Sequence, residues 1–337
     1  MKQSTLPVEM AVIGPGRMGS IYARAIDELA TTRLVAIGGR SEASTTGLAK
    51  AMGVPSYAGS RYHEMLEAHP HIEAVIVATS EWAHLEPVLA CLDAGKHVAL
   101  EKPMATSLGD ARQMAQRADD ANVKFMICHS IRFDPRYALM QQRVARGKLG
   151  EVLNLHGRRH PGPNAVKRVF GKFPLAYWLI VHDIDMMLWT TGSPVRSVRA
   201  YSRANGQSLQ DFIIATLAFE NGAVGLIECS WGSPPQAGRP QNETFVVRGT
   251  EGVIELFGNE HGLICYGTDS SLTYPDTVHS PIVQGQLEGS FRSVTRHFAG
   301  AVREEWPLLI TGRDGLAVIE VAAAIDQSLR DDREVYL

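Results

Sequence analysis

The run Gly14-Pro15-Gly16-Arg17-Met18-Gly19 places three glycines in the order that a pyrophosphate cradle requires. In that chemistry the first glycine permits a tight turn, the second lets backbone approach the phosphates, and the third allows a helix to pack closely on a strand. Alone the pattern is weak, because a chain with 31 glycines produces such spacings by chance. About 20 residues after such a cradle, an acidic side chain normally accepts the ribose hydroxyls of NAD. Here the chain reads Gly38-Gly39-Arg40-Ser41, without a carboxylate. An arginine beside small residues suits a 2′-phosphate, which favours NADP over NAD. In the alternative reading Arg40 only stacks on the adenine or lies in solvent, and Glu42, the next acid, is displaced from the ribose position.

A cradle works only between a strand and a helix, and the flanking sequence supplies both. "VEMAVIG" is rich in strand-forming residues, and "RMGSIYARAIDELA" sets Met18, Ile21, Tyr22, Ala25, Ile26 and Leu29 at helical spacing. The helix N-terminus then presents unpaired N–H groups and the positive end of its dipole to a phosphate. Further strands are expected at "RLVAIGGRS", at Ile72–Thr79 and at "HVALEKP", each introduced by a helical stretch. Strands alternating with helices predict an α/β fold with a doubly wound parallel sheet.

A chain of 337 residues, 45% hydrophobic and 20% charged, buries a substantial core and divides most readily into two domains. A net charge of -3 gives no field that would gather nucleic acid or an anionic membrane, so neither is an expected partner. Cys91, Cys128, Cys229 and Cys265 are far apart and form no Cys-x-x-Cys pair, which argues against a structural zinc or a disulfide framework and for a reducing compartment. No apolar run approaches the roughly 18 residues needed to span a bilayer, and the N-terminus does not read as a secretion signal. A cytoplasmic protein is the expectation.

The blocks "VIGPGRMG", "VIVATSEWAHLEPVLACLDAGKHVALEKPMA", "VHDIDMMLW" and "DGLAVIEVAAAIDQSLRDDREVYL" span almost the whole chain, and in this order they resemble the glucose-fructose oxidoreductase, inositol dehydrogenase and rhizopine-catabolism family, Gfo/Idh/MocA. The triplet Glu101-Lys102-Pro103 is the most specific part of the match. The resemblance implies a Rossmann domain over residues 1–125. It also implies a substrate-binding and oligomerisation α/β domain over 126–337, with a large, mostly antiparallel open sheet and a C-terminal helix able to pack back on the first domain. It implies an NAD(P)-dependent dehydrogenase or reductase acting on a secondary alcohol, or a lactol, of a sugar or cyclitol, working without metal as a homodimer or homotetramer. Relatives that cleave glycosides through transient oxidation, or that only sense sugars or nucleotides, are the alternatives. By match, Lys102 lies beside the nicotinamide and the substrate hydroxyl, where a cation stabilises developing alkoxide charge and where it handles the proton together with His182. His182 matches the second catalytic position, and imidazole passes protons near neutral pH. Around the nucleotide the match adds Thr79, His84 and Glu101 to Gly14, Gly16, Arg17, Met18, Gly19, Arg40, Ser41 and Lys102, with His84 read as structural or supporting.

The chain departs from the family where many relatives carry an aspartate four residues before the histidine: Trp178 stands there. Trp178 offers a face to the C–H groups of a sugar and Tyr177 a hydroxyl, or both are core aromatics. Asp185, three residues after His182, shares its face if a helix starts here and either steers the imidazole or Lys102, or serves the helix terminus. Positive residues gather between Arg143 and Lys172, among them Arg146, Lys148, Arg158, Arg159, Lys167 and Arg168, with His156 and His160. Arg158 is the candidate for an acidic or phosphorylated sugar; otherwise the group is a solvated face or a subunit interface. The loop His160–Asn164 is a candidate lid or subunit arm.

Overall fold

The computed structural model describes residues 6–161, 174–203, 212–231, 241–258, 263, 265–266, 272–273 and 275–337. Its contacts divide the chain into two compact units, one formed by residues up to Phe133 with His279–Leu316, the other by Asp134–Val278 with Ala317–Leu337. Asn164, Lys167, Arg168 and Lys172 lie outside the described residues.

In the first unit, β1 (Val8–Ile13), β2 (Thr32–Gly38), β3 (Ser56–Tyr57), β4 (Ala74–Val77), β5 (His97–Glu101) and β6 (Phe125–Cys128) form one parallel sheet in the order β3-β2-β1-β4-β5-β6. Its helices are α1 (Arg17–Glu28), α2 (Glu42–Met52), α3 (Tyr62–Ala68), α4 (Leu85–Asp93) and α5 (Leu108–Ala121). Strand order reverses at β1, so right-handed crossovers send the helices of the two halves to opposite faces and open a crevice between the carboxyl ends of β1 and β4. Covered on both sides, the central strands are continuously apolar: every residue of "AVIV" in β4 is buried. The four strands expected from the sequence all form. β3 and β6 were not legible, since two residues carry no period and "FMIC" reads equally as part of a helix.

The second unit is built on a seven-stranded sheet from β7 (Val152–Pro161), β8 (Val195–Arg203), β9 (Phe212–Phe219), β10 (Val224–Ser230), β11 (Gln241–Gly249) and β12 (Val253–Phe257), completed by β17 (Val335–Tyr336). Its order is β12-β11-β7-β10-β9-β8-β17, and only β7 and β10 run parallel. Two short hairpins intervene, β13 (Cys265–Tyr266) with β14 (Leu272–Thr273) and β15 (Ile282–Val283) with β16 (Gln286–Leu287). Helix α6 (Pro135–Ala145) opens this unit, and α7 (Ile180–Thr191) lies on one face of its sheet. In the first unit α8 (Ser290–Val302) packs against α1, and α9 (Gly312–Asp331) is divided between the units at Leu316.

Candidate active site

The glycine run occupies the strand–helix junction at the end of β1. Gly14 has φ +108, and a Cβ there would come within 2.5 Å of the Ala78 carbonyl carbon and 2.6 Å of the Thr79 nitrogen, so only glycine lets the loop sit against the end of β4. A Cβ on Gly19 would meet the Gly14 carbonyl oxygen, which fixes how closely α1 approaches its strand. Gly16 differs: it is exposed, and nothing lies within 4 Å of where its Cβ would be. It caps α1, and no side chain satisfies the free N–H groups of the first turn, which also lacks acidic residues. An open approach to uncapped, positively polarised N–H groups fits a dinucleotide pyrophosphate. Gly16→Ala is therefore expected to change stability by less than about 1 kcal/mol while weakening dinucleotide binding at least about tenfold; thermal unfolding and fluorescence titration of the same sample separate the two effects. Beside the cradle Arg17 is exposed and Met18 half-buried.

Arg40 ends the β2 loop exposed, and it makes no ion pair or side-chain hydrogen bond among the described residues. Ser41 caps α2, receiving the Ser44 N–H at 3.5 Å, and Glu42 accepts from Thr46 within that helix. After β4, the Thr79 hydroxyl donates to the Ala83 carbonyl at 2.9 Å and holds the turn Glu81–Ala83.

Lys102 follows the last residue of β5 and is half-buried. Glu101 before it is 6% exposed and accepts two hydrogen bonds, from the Tyr22 hydroxyl at 2.6 Å on Oε1 and from the Lys102 N–H at 3.1 Å on Oε2. Burial pushes its carboxyl above the ordinary range, against the pull of the Lys102 ammonium and the Tyr22 hydrogen bond. His84 is buried, and its Nδ1 donates to the Pro103 carbonyl at 3.0 Å. Burial lowers its pKa, so a neutral ring pins the backbone after the lysine.

In the second unit His182 and Asp185 lie one turn apart on α7, so the helix that the sequence made conditional exists. His182 is half-buried and Asp185 buried. Trp178, in the turn before the helix, is 4% exposed and stacks on Trp231 with ring centroids 4.7 Å apart and planes 21° apart. Tyr177 is buried, and burial raises its phenol to about 12. Both aromatics are buried, and the Trp178–Trp231 stack fills the turn before α7.

The residue after His182 matters as much for the geometry. Asp183 is fully buried, and Arg159 on β7 donates to it through Nε and one terminal nitrogen, both at 3.2 Å, while its other terminal nitrogen reaches Glu243 on β11. Gly157 makes room, since a Cβ there would lie 3.0 Å from the Asp183 carboxyl group. Arg159 is therefore not part of a solvated basic face. The sequence carried one signal of this, a glycine two positions before the arginine on a strand. Arg158 points to the opposite face, away from α7, because strand side chains alternate; the register aligns it with Phe257, Thr244, Glu228, Ile214 and Tyr201. His160 shares that face and bonds Ser230 at 2.8 Å and Glu228 at 3.0 Å.

Two family models cover nearly all of the chain, one described as the oxidoreductase family's NAD-binding Rossmann fold over residues 8–129, the other as its C-terminal alpha/beta domain over 141–337. The chain belongs to the Gfo/Idh/MocA oxidoreductase family. Among its relatives are scyllo-inositol 2-dehydrogenase (NAD(+)) of Bacillus subtilis, 26% identical over 98% of this chain and 96% of that protein. Another is Myo-inositol 2-dehydrogenase of Thermotoga maritima, 27% identical over 98% of each. The crystal structure of GenD2 from gentamicin A biosynthesis in complex with NAD has the same fold, with a TM-score of 0.82 at 24% identity over 98% of this chain and 97% of that one. As an oxidoreductase of the Gfo/Idh/MocA family, the chain pairs a six-stranded Rossmann sheet with the family's second, mostly antiparallel sheet. Among the described residues no helix is long and apolar enough to cross a membrane.

Proposed function

We propose that this protein is an NAD(P)-dependent dehydrogenase interconverting a secondary alcohol and a ketone, or a lactol and a lactone, on a cyclitol or sugar. The uncapped, unobstructed start of α1 at the sheet's switch point carries the nucleotide half of this reading. The inositol dehydrogenases among its relatives support the substrate half. Gly14, Gly16 and Gly19 hold the pyrophosphate, with Arg17, Met18 and Thr79 lining its edge. Bound nicotinamide supplies the hydride acceptor or donor. Lys102 provides the cation that stabilises alkoxide charge, and His182 takes up or returns the hydroxyl proton, with Asp185 on its helical face. Glu101 and His84 fix the backbone and charge around Lys102. The open face of the seven-stranded sheet, with exposed Tyr201 and Val224, is the surface for assembly into a homodimer or homotetramer.

NADP is the preferred nucleotide in this reading, because Arg40 is exposed and uncommitted at the end of the β2 loop. Titration of wild type and Arg40→Ala with NADPH and NADH, read by nicotinamide fluorescence, tests it. Tighter NADPH binding in wild type and at least about a tenfold loss of that preference in the variant are expected, the worth of a charge-assisted contact to phosphate. Stronger NADH binding in wild type would overturn the role of Arg40 alone, and failure of both nucleotides would overturn the dehydrogenase. A panel of cyclitols and sugars with the better nucleotide, followed by nicotinamide absorbance, then identifies the substrate.

A further inference from the structure

Tyr22 is fully buried in the middle of α1, five residues past the helix start, and its hydroxyl donates a hydrogen bond to the Glu101 carboxylate at 2.6 Å. A buried phenol at such a place needs an acceptor, and Glu101 supplies it across 79 positions of sequence. The ring is locked from the other side by Phe291, packed edge-on at 5.8 Å and 84°.

We propose that Tyr22 is a positioning residue for Lys102, acting through Glu101. This rests on the reading of Lys102 given under the proposed function. The carboxylate has two oxygens and two fixed donors, one from Tyr22 and one from the Lys102 backbone, so it cannot rotate away from the lysine without stranding a buried polar group. Three other ionisable groups face it: the Lys102 side chain at the end of its own strand, the Cys128 thiol opposite it on β6, and Glu81 in the turn after β4. Only Lys102 and Tyr22 favour its charged form, while burial and Glu81 oppose it. Burial also keeps the phenol protonated, so Tyr22 donates throughout the working pH range. Because α1 begins at the glycine cradle, the helix that receives the nucleotide is the one that sets the charge beside the lysine.

Tyr22→Phe keeps the ring and removes the donor. Without that hydrogen bond the buried carboxyl takes up its proton at higher pH, by about one pH unit or more. The direct readout is the carboxyl carbon resonance of Glu101 in the intact, nucleotide-free protein, assigned by its disappearance in Glu101→Gln. A titration midpoint raised by about one unit in Tyr22→Phe, and lowered when 3-fluorotyrosine, a more acidic donor, stands at position 22, supports the proposal. An unmoved midpoint in either protein overturns it, and the fluorotyrosine form keeps the test decisive if the phenylalanine variant fails to fold.

In turnover, the acid limb of kcat/KM is expected to shift to higher pH in Tyr22→Phe with nucleotide affinity unchanged, and the shift is expected to vanish in a Glu101→Gln background. Uniform loss of kcat at all pH values without movement of the limb would mark Tyr22 as merely structural and overturn the proposal. If Lys102→Ala retains turnover, the reading of Lys102 falls, and with it the purpose assigned to Tyr22. If Lys102→Ala is inactive but the Glu101 midpoint does not respond to Tyr22, only the present inference falls.

Discussion

Lys102→Ala is expected to lower turnover by at least about a hundredfold, the scale of a positioned acid–base or charge-stabilising group, while dinucleotide binding stays near the wild-type level. The two effects separate because the cradle and Lys102 belong to different strand ends: Gly14, Gly16 and Gly19 follow β1, whereas Lys102 follows β5. Lys102→Arg is expected to restore little. A guanidinium keeps the charge but spreads it over a planar fork wider than the compact ammonium, so it does not take the same place beside the hydroxyl. Single-turnover rates at saturating nucleotide and substrate, with fluorescence titration of the same preparations, provide the measurement. Near-normal turnover in the alanine variant would remove Lys102 from the chemistry.

Arg159→Ala is expected to destabilise the protein by about 3–5 kcal/mol, the cost of stranding buried charge. The arginine is the partner of both Asp183 and Glu243, and all three side chains are almost completely buried. Its removal leaves two carboxylates without their cation beneath the helix that carries His182. Burial already pushes Asp183 upward and Arg159 pulls it back, so the variant's carboxyl pKa rises well above its unfolded value. A group whose folded pKa is raised favours the folded state at low pH and loses that contribution as pH rises through the folded value. The deficit is therefore expected to be larger at pH 8 than at pH 5, which urea unfolding at the two pH values measures. Replacing all three residues with apolar ones of similar volume, Arg159→Met with Asp183→Leu and Glu243→Met, is expected to recover most of the stability. A loss below about 1 kcal/mol for Arg159→Ala, or a loss independent of pH, would show that the cluster is solvated.

What the sequence determined by itself was local. A glycine turn between a strand pattern and a helix pattern is written in about thirty consecutive residues, since both periods and the steric needs of glycine act over short range. Four of the six parallel strands were readable for the same reason, and so was the face shared by His182 and Asp185, which follows from helix geometry once a helix exists. The order of family motifs then supplied the second sheet, which periodicity alone did not.

Tertiary structure decided the state of each polar group. Arg158 and Arg159 are adjacent and alike in sequence, yet one lies on the open face of the sheet and the other is buried against Asp183 and Glu243, because strand pairing chooses which face meets α7. Tyr22 reads as one more apolar position of an amphipathic helix, and only the tertiary fold brings its hydroxyl to Glu101. Trp178 reads equally as a sugar platform or as core, and only the fold sets the ring of Trp231 against it. Whether a charge or hydroxyl is solvated, paired or buried depends on partners 24, 79 or 84 residues away, and no local pattern specifies partners at that range.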